Sequence, residues 1–122
     1  MLLLDTHVYI WWLQGVLPAG TESTIRTTPQ VFVSAASLWE ISIKVSLGKL
    51  RIDAAKAQDI EGRGFKELQV SARHAWEAGA LPPVHKDPFD RLLVAQASLE
   101  GLTLVSADSR VWQYPVDVLR VT

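Results

Sequence analysis

Four carboxylates in this 122-residue chain have the type and placement that can do chemistry: Asp5, Glu40, Asp90 and Asp108. Asp5 ends the apolar run Met1-Leu2-Leu3-Leu4, and Glu40 lies on the helical stretch after Val31-Phe32-Val33. Asp90 opens a later helix, and Asp108 follows Leu102-Thr103-Leu104-Val105-Ser106. The strands of an open parallel sheet point their carboxyl ends to one edge, so acids at those ends converge from distant parts of the chain. Converging carboxylates repel unless a cation sits between them, and hard divalent metals are the usual occupant. Coordination of such an ion is the chemistry this placement predicts.

Each acid also has a purely structural use. Asp87 and Asp90 can cap a helix whose N-terminus favours negative charge, and Asp5 before Thr6 can do the same for the first helix. Glu40 precedes Lys44 by one helical turn, the favoured orientation for a surface ion pair, although Leu38, Trp39, Ile41 and Ile43 around it predict a largely buried helix. Asp108 before Ser109 can be a turn residue. What favours convergence is that several strand-end positions on one edge carry acids together. Asp53, Asp59, Glu61, Glu67, Glu77 and Asp117 have no such placement and read as surface charges.

His7, His74 and His85 are too scattered for a metal cluster, and none has zinc-site spacing. His7 is close to Asp5 but is expected to pack or hydrogen-bond. The five tryptophans can stack on bases, but their positions within amphipathic helices predict core or dimer-interface roles. Lys44, Lys49, Arg51, Lys86, Arg91 and Arg110 flank the acidic segments and can contact phosphate, with pairing to an acid as the other use of Arg91.

The elements that must position these residues alternate. Short Leu- and Val-rich runs predict strands at Met1–Leu4, Val31–Ser34, Glu67–Val70, Leu102–Ser106 and Val116–Val121. Helices are predicted over Thr6–Gln14, Thr21–Thr28, Ala35–Leu47 behind an N-capping Ser34, Lys56–Arg63, and Ala72–Ala80 behind Ser71. The last is the best defined: Asp87 as N-cap, Pro88 at N1, Asp90 at N3 and Gly101 beyond Glu100, with Leu92, Leu93, Gln96 and Leu99 facing the sheet. The pattern predicts α/β architecture with a parallel sheet, in one domain over 1–122.

Twelve Lys and Arg against thirteen Asp and Glu give a formal charge of -1, so a polyanion must be held by a local basic patch or by metal. With no cysteine, disulfides, thiolate metal sites and thiol nucleophiles are excluded. The apolar N-terminus meets Asp5 without a basic leader, so neither a signal peptide nor a membrane span is expected there. A cytoplasmic protein follows.

The segments Met1-Leu-Leu-Leu-Asp-Thr-His7, Val33-Ser-Ala-Ala-Ser-Leu-Trp-Glu-Ile41, Asp87-Pro-Phe-Asp-Arg-Leu-Leu-Val-Ala-Gln96 and Gly101-Leu-Thr-Leu-Val-Ser-Ala-Asp108 resemble the sequence blocks of PIN-domain ribonucleases, and more narrowly of VapC toxins of bacterial type II toxin–antitoxin systems. The resemblance spans nearly the whole chain in the right order. It implies a PIN-like three-layer α/β/α sandwich around a central parallel sheet of four to five short strands. It makes Asp5 the first-strand acid, Glu40 the acid on the third helix, Asp90 the acid opening the later helix and Asp108 the fourth, with Ser106 standing where the family has Thr. Asp87 is an additional candidate ligand.

Oxygen ligands suit Mg²⁺, with Mn²⁺ as the other choice, and such an ion activates water, neutralises charge at phosphorus and helps the oxygen leave. Asp5 and Asp90 are expected to hold the principal ion, with Glu40 and Asp108 binding a second or positioning its waters. The resemblance implies RNA as substrate, 5′-phosphate and 3′-hydroxyl products, a homodimer, and a VapB-type antitoxin that blocks the acidic groove and alone brings the pair to DNA. Two rivals are a catalytically silent PIN-fold binding module and a haloacid-dehalogenase-type phosphatase; the Asp-x-Asp signature of the latter fails at His7.

Overall fold

The computed structural model describes residues 1–122. The apolar N-terminal run becomes the middle strand of a five-stranded, all-parallel sheet: β1 (Leu2–Leu4) lies between β2 (Val31–Ser34) and β4 (Thr103–Ser106), with β3 (Lys66–Leu68) and β5 (Val118–Arg120) at the edges. A central parallel strand is covered on both faces, which is why β1 is uniformly apolar and wholly buried. Leu2 and Leu4 point into one core with Val8, Tyr9, Ile25, Val33 and Ile41. Leu3 points the other way, into a second core with Leu93, Val94, Ala97, Leu104 and Tyr114.

Helices α1 (Thr6–Gln14), α2 (Ala19–Thr27) and α3 (Ala35–Ser46) supply the first core, α4 (Ala54–Gln58) borders it, and α6 (Pro88–Glu100) supplies the second, with α5 (Ala72–Ala80) packed against α6. The result is a three-layer α/β/α sandwich with a central parallel sheet. No helix is long and apolar enough to cross a membrane.

The strand order reverses between β1 and β4. Their carboxyl ends therefore frame the crevice where ligands of open α/β sheets bind. In register, Leu4 lies beside Val105, so the residues that follow, Asp5 and Ser106, are delivered side by side.

Several element boundaries differ from expectation. The helix predicted at Lys56–Arg63 starts earlier and stops at Gln58, because Asp53 caps it through Lys56 N and Asp59 accepts from Gly62 N to form a turn and a short 3₁₀ segment, Glu61–Arg63. At the sheet edges, Val70 lies outside β3, and Val116 N bonds to Tyr114 O, so the chain is still turning before β5. None of the tryptophans is fully buried, although Trp11 and Trp12 pack against the first core. Trp11, Trp12 and Trp112 are half-buried, while Trp39 and Trp76 are 63% and 83% exposed; α5 carries Trp76 on the face that α6 does not cover.

Arg91 is neither free for phosphate nor paired with an acid. Its Nη1 donates to Pro82 O, His85 O and Tyr114 Oη at 3.1, 3.2 and 3.3 Å, and its Nη2 to Ala78 O and Leu81 O at 2.9 and 3.0 Å. Ala78 lies in the last turn of α5, whose carbonyls have no partner within the helix. One guanidinium thus closes α5, binds the Leu81–Lys86 connection and ties both to α6. We expect Arg91→Ala to lower unfolding stability by about 2–4 kcal/mol, through several stranded carbonyls, and Arg91→Lys to recover only a minor part, since an ammonium lacks the planar fork. Urea denaturation followed by tryptophan fluorescence measures this; an Arg91→Ala protein as stable as the parent would contradict it.

Candidate metal centre

Asp5 leaves β1 and caps α1 in one step. Its backbone N–H donates to Val105 O at 3.0 Å, the last link to β4, and its Oδ1 accepts from Val8 N at 2.9 Å. The carboxyl is 4% exposed. Burial pushes its pKa above the ordinary carboxylate value, against the hydrogen bonds of Ser106 and Val8 and the nearby His7, and Asp108 adds repulsion.

Asp90 reaches the same edge from the N-terminus of α6. Asp87 Oδ1 caps that helix, accepting from Phe89 N at 2.8 Å and Asp90 N at 3.1 Å, which engages one of its two carboxylate oxygens with the backbone. Asp90 stays free to point at the site. Burial, then the charges of Asp87 and Asp5, raise its pKa to about 6 despite a hydrogen bond with His85.

Asp108 completes the cluster beyond β4. Its N–H donates to Ser106 Oγ, and its Oδ1 accepts from Arg110 N at 2.9 Å, with the guanidinium 3.3 Å from Oδ2. Burial would raise its pKa, but these hydrogen bonds and the Arg110 charge outweigh it and hold the carboxyl below its usual value. Asp5, His7, Trp11, Ala107 and Asp108 line a depression of ≈ 160 Å³.

Glu40 is placed differently. It is buried on α3, one turn past Ser37, whose hydroxyl accepts from Thr6 Oγ1 at 3.0 Å and ties α3 to the start of α1. Its Oε2 pairs with Lys44 at 3.0 Å, while its Oε1 has no partner. No hydrogen bond or ion pair joins Glu40 to the other three acids. Lys44 is thereby occupied, leaving Lys49, Arg51 and Lys86 as exposed cations without an acidic partner, and Arg110 exposed beside Asp108.

The residue that sequence reasoning misses is His85. It is 7% exposed, and its Nε2 lies 2.9 Å from Asp90 Oδ2 and 3.4 Å from Asp108 Oδ2. Its proximity to Asp90 in sequence is the one available signal. His74, by contrast, is spent on a capping box with Ser71, and His7 is exposed.

These residues fit a divalent cation. Asp90 and Asp108 gather with His85 within 4.8 Å, and Asp5, which lines one depression with Asp108, is pushed like Asp90 toward the neutral form mainly by burial; positive charge placed among them would relieve both. The donors are carboxylate oxygens with one imidazole at hand, a set for hard or borderline ions.

Comparison with known proteins bears on the fold and the family. No curated protein matches the chain. Among solved structures, a toxin–antitoxin complex from Klebsiella pneumoniae superposes with a TM-score of 0.74 at 17% identity, over 100% of this chain and 98% of that one. VapBC2 from Rickettsia felis, bound to a DNA fragment from its promoter, gives a TM-score of 0.75 at 18% identity over 97% and 96% of the two chains. DNA-bound VapBC from Salmonella typhimurium gives 0.73 at 14% identity over the full length of both. At such identities the likeness is one of fold. The family model for the PIN domain matches residues 2–116, and the chain belongs to the PIN domain family.

Proposed function

We propose that this chain is a metal-dependent endoribonuclease, a single PIN domain acting as the toxin of a type II toxin–antitoxin pair in the cytoplasm. The observation that carries the chemistry is the meeting of Asp5, Asp90 and Asp108 at the switch point of a parallel sheet. Such burial of like charge is costly without a counter-ion, and metal-assisted phosphodiester hydrolysis is the use to which the PIN fold puts it.

Asp5 and Asp90 would hold the principal Mg²⁺ or Mn²⁺ directly. Glu40, with its free Oε1, and Asp108 would hold a second ion or orient its waters. The bound ion supplies an activated water and charge neutralisation at phosphorus. The protein's part is orientation. The β1–β4 pairing fixes Asp5, the α6 N-terminus fixes Asp90, and Arg110 fixes Asp108 and presents its exposed guanidinium to an RNA phosphate. Lys49, Arg51 and Lys86, exposed cations that flank the acidic segments in sequence, would add contacts to the backbone.

The partner assignment rests on the toxin–antitoxin complexes that share the fold and on two surfaces. Leu38, Ile41, Val45, Ile52, Ala54 and Ala57 line an apolar groove that suits a segment of an antitoxin. The exposed Trp39 and Trp76 suit a homodimer contact. DNA would be reached through the antitoxin, since a net charge of -1 supplies little affinity for a polyanion.

Asp5→Asn is the direct test, because Asn caps a helix as well as Asp does and the fold should survive. We expect Mg²⁺- or Mn²⁺-dependent cleavage of RNA to fall at least about a hundredfold while circular dichroism is unchanged. Parental cleavage by the variant would remove Asp5 from the mechanism, and absence of metal-dependent cleavage in the parent would favour a silent binding module.

The raised pKa of Asp90 has its own consequence. Its neutral form favours folding, so that contribution is whole below about pH 4, the ordinary carboxylate value, and is lost as pH rises through about 6. In EDTA, Asp90→Asn should therefore be more stable than the parent at neutral pH by about 1–2 kcal/mol and equal to it in acid. Saturating divalent metal should cancel the difference, and urea midpoints across pH decide; a variant less stable at neutral pH would contradict this.

A further inference from the structure

We infer that His85 is a nitrogen ligand of the metal centre and biases it toward Mn²⁺ over Mg²⁺. The inference rests on the metal-dependent reading above and adds a donor that the carboxylates alone do not supply.

Placement comes first. His85 Nε2, Asp90 Oδ2 and Asp108 Oδ2 belong to a set of potential ligand atoms within 4.8 Å of one another. Donor atoms that share one small divalent cation would stand about 3 Å apart. The separations of 2.9 and 3.4 Å from Nε2 to the two carboxylates match that spacing. The ring is buried, so its nitrogen is aimed at the acids and turned from solvent.

The backbone beneath the ring is fixed from both sides. His85 N donates to Tyr114 Oη at 2.9 Å, and His85 O accepts from Arg91 Nη1 at 3.2 Å. Tyr114 is itself buried, and Arg91 is anchored by the carbonyls of Ala78 and Leu81. Pro82 and Pro83 further restrict the approach to this position. The clamp that ties α5 to α6 also suits a ligand, because metal affinity depends on donors held in place before the ion arrives.

The preference follows from the donor. Mg²⁺ takes oxygen ligands and sheds water reluctantly, whereas imidazole suits borderline transition ions. An imidazole among carboxylates therefore stabilises Mn²⁺ more than Mg²⁺.

The full chain, stripped of metal and loaded with Mn²⁺, is examined by pulsed electron paramagnetic resonance in natural-abundance and ¹⁵N-histidine-labelled forms. A histidine nitrogen coupling should appear, persist in His7→Ala and vanish in His85→Gln. By calorimetry the Mn²⁺-over-Mg²⁺ preference should narrow about tenfold in His85→Gln. Mn²⁺ bound without nitrogen coupling, or with coupling lost in His7→Ala, overturns the ligand assignment and leaves the metal centre standing; His85 would then act as a hydrogen-bond donor to Asp90 and Asp108. Failure of the parent to bind either ion overturns the metal centre and the inference with it. If His85→Gln does not fold, the labelled parent and His7→Ala still decide the matter.

Discussion

Repulsion between carboxylates held out of water is the constraint on which this molecule turns. Asp5 is 4% exposed and feels both Asp90 and Asp108, while Asp90 also feels Asp87. Ionised groups so placed cost several kcal/mol each unless charge or hydrogen bonds compensate. The compensation within the chain is partial: Val8 N and Ser106 for Asp5, His85 for Asp90, Arg110 for Asp108. Asp108 alone ends below its ordinary pKa. The other two remain raised, which is the condition of a site awaiting positive charge.

The fold serves this constraint at each step. Reversal of strand order beside β1 opens the crevice, and the β1–β4 register brings Asp5 beside Ser106. Asp87 satisfies the first turn of α6 so that Asp90 need not. Arg91 then fixes the connection that carries His85 by gathering carbonyls from α5, the loop and His85 itself. An arginine beside an acidic cluster is easily taken for a phosphate contact; the geometry of Arg91 is that of a structural clamp.

The parts of this design legible in sequence are those encoded locally or by period. Asp87-Pro-Phe-Asp90 carries a cap, a proline at N1 and an acid at N3 within four positions, and the helix forms as that grammar requires. The strands at Leu2, Val31 and Thr103 follow from continuous apolar runs that only a doubly covered sheet buries. What was not legible depends on long-range packing. His85 sits in an aperiodic Pro-rich connection, and its partner Asp108 arrives from another strand. Arg91 binds backbone carbonyls, which carry no residue signature. The tryptophans lie on helices whose covered face depends on the neighbouring helix, so the expected choice between core and interface divides: Trp11 and Trp12 pack against the core, while Trp39 and Trp76 are exposed. Glu40 illustrates both: its pair with Lys44 is local and foreseeable, while its unpartnered Oε1 emerges only from packing.

Metal-dependent cleavage by this chain requires positive charge between Asp5 and Asp90. Crystals grown with Mn²⁺ and measured at wavelengths where manganese scatters anomalously would locate it. An anomalous peak in contact with the carboxylates of Asp5 and Asp90 is expected. Crystals saturated with Mn²⁺ that show no peak between these residues would contradict it.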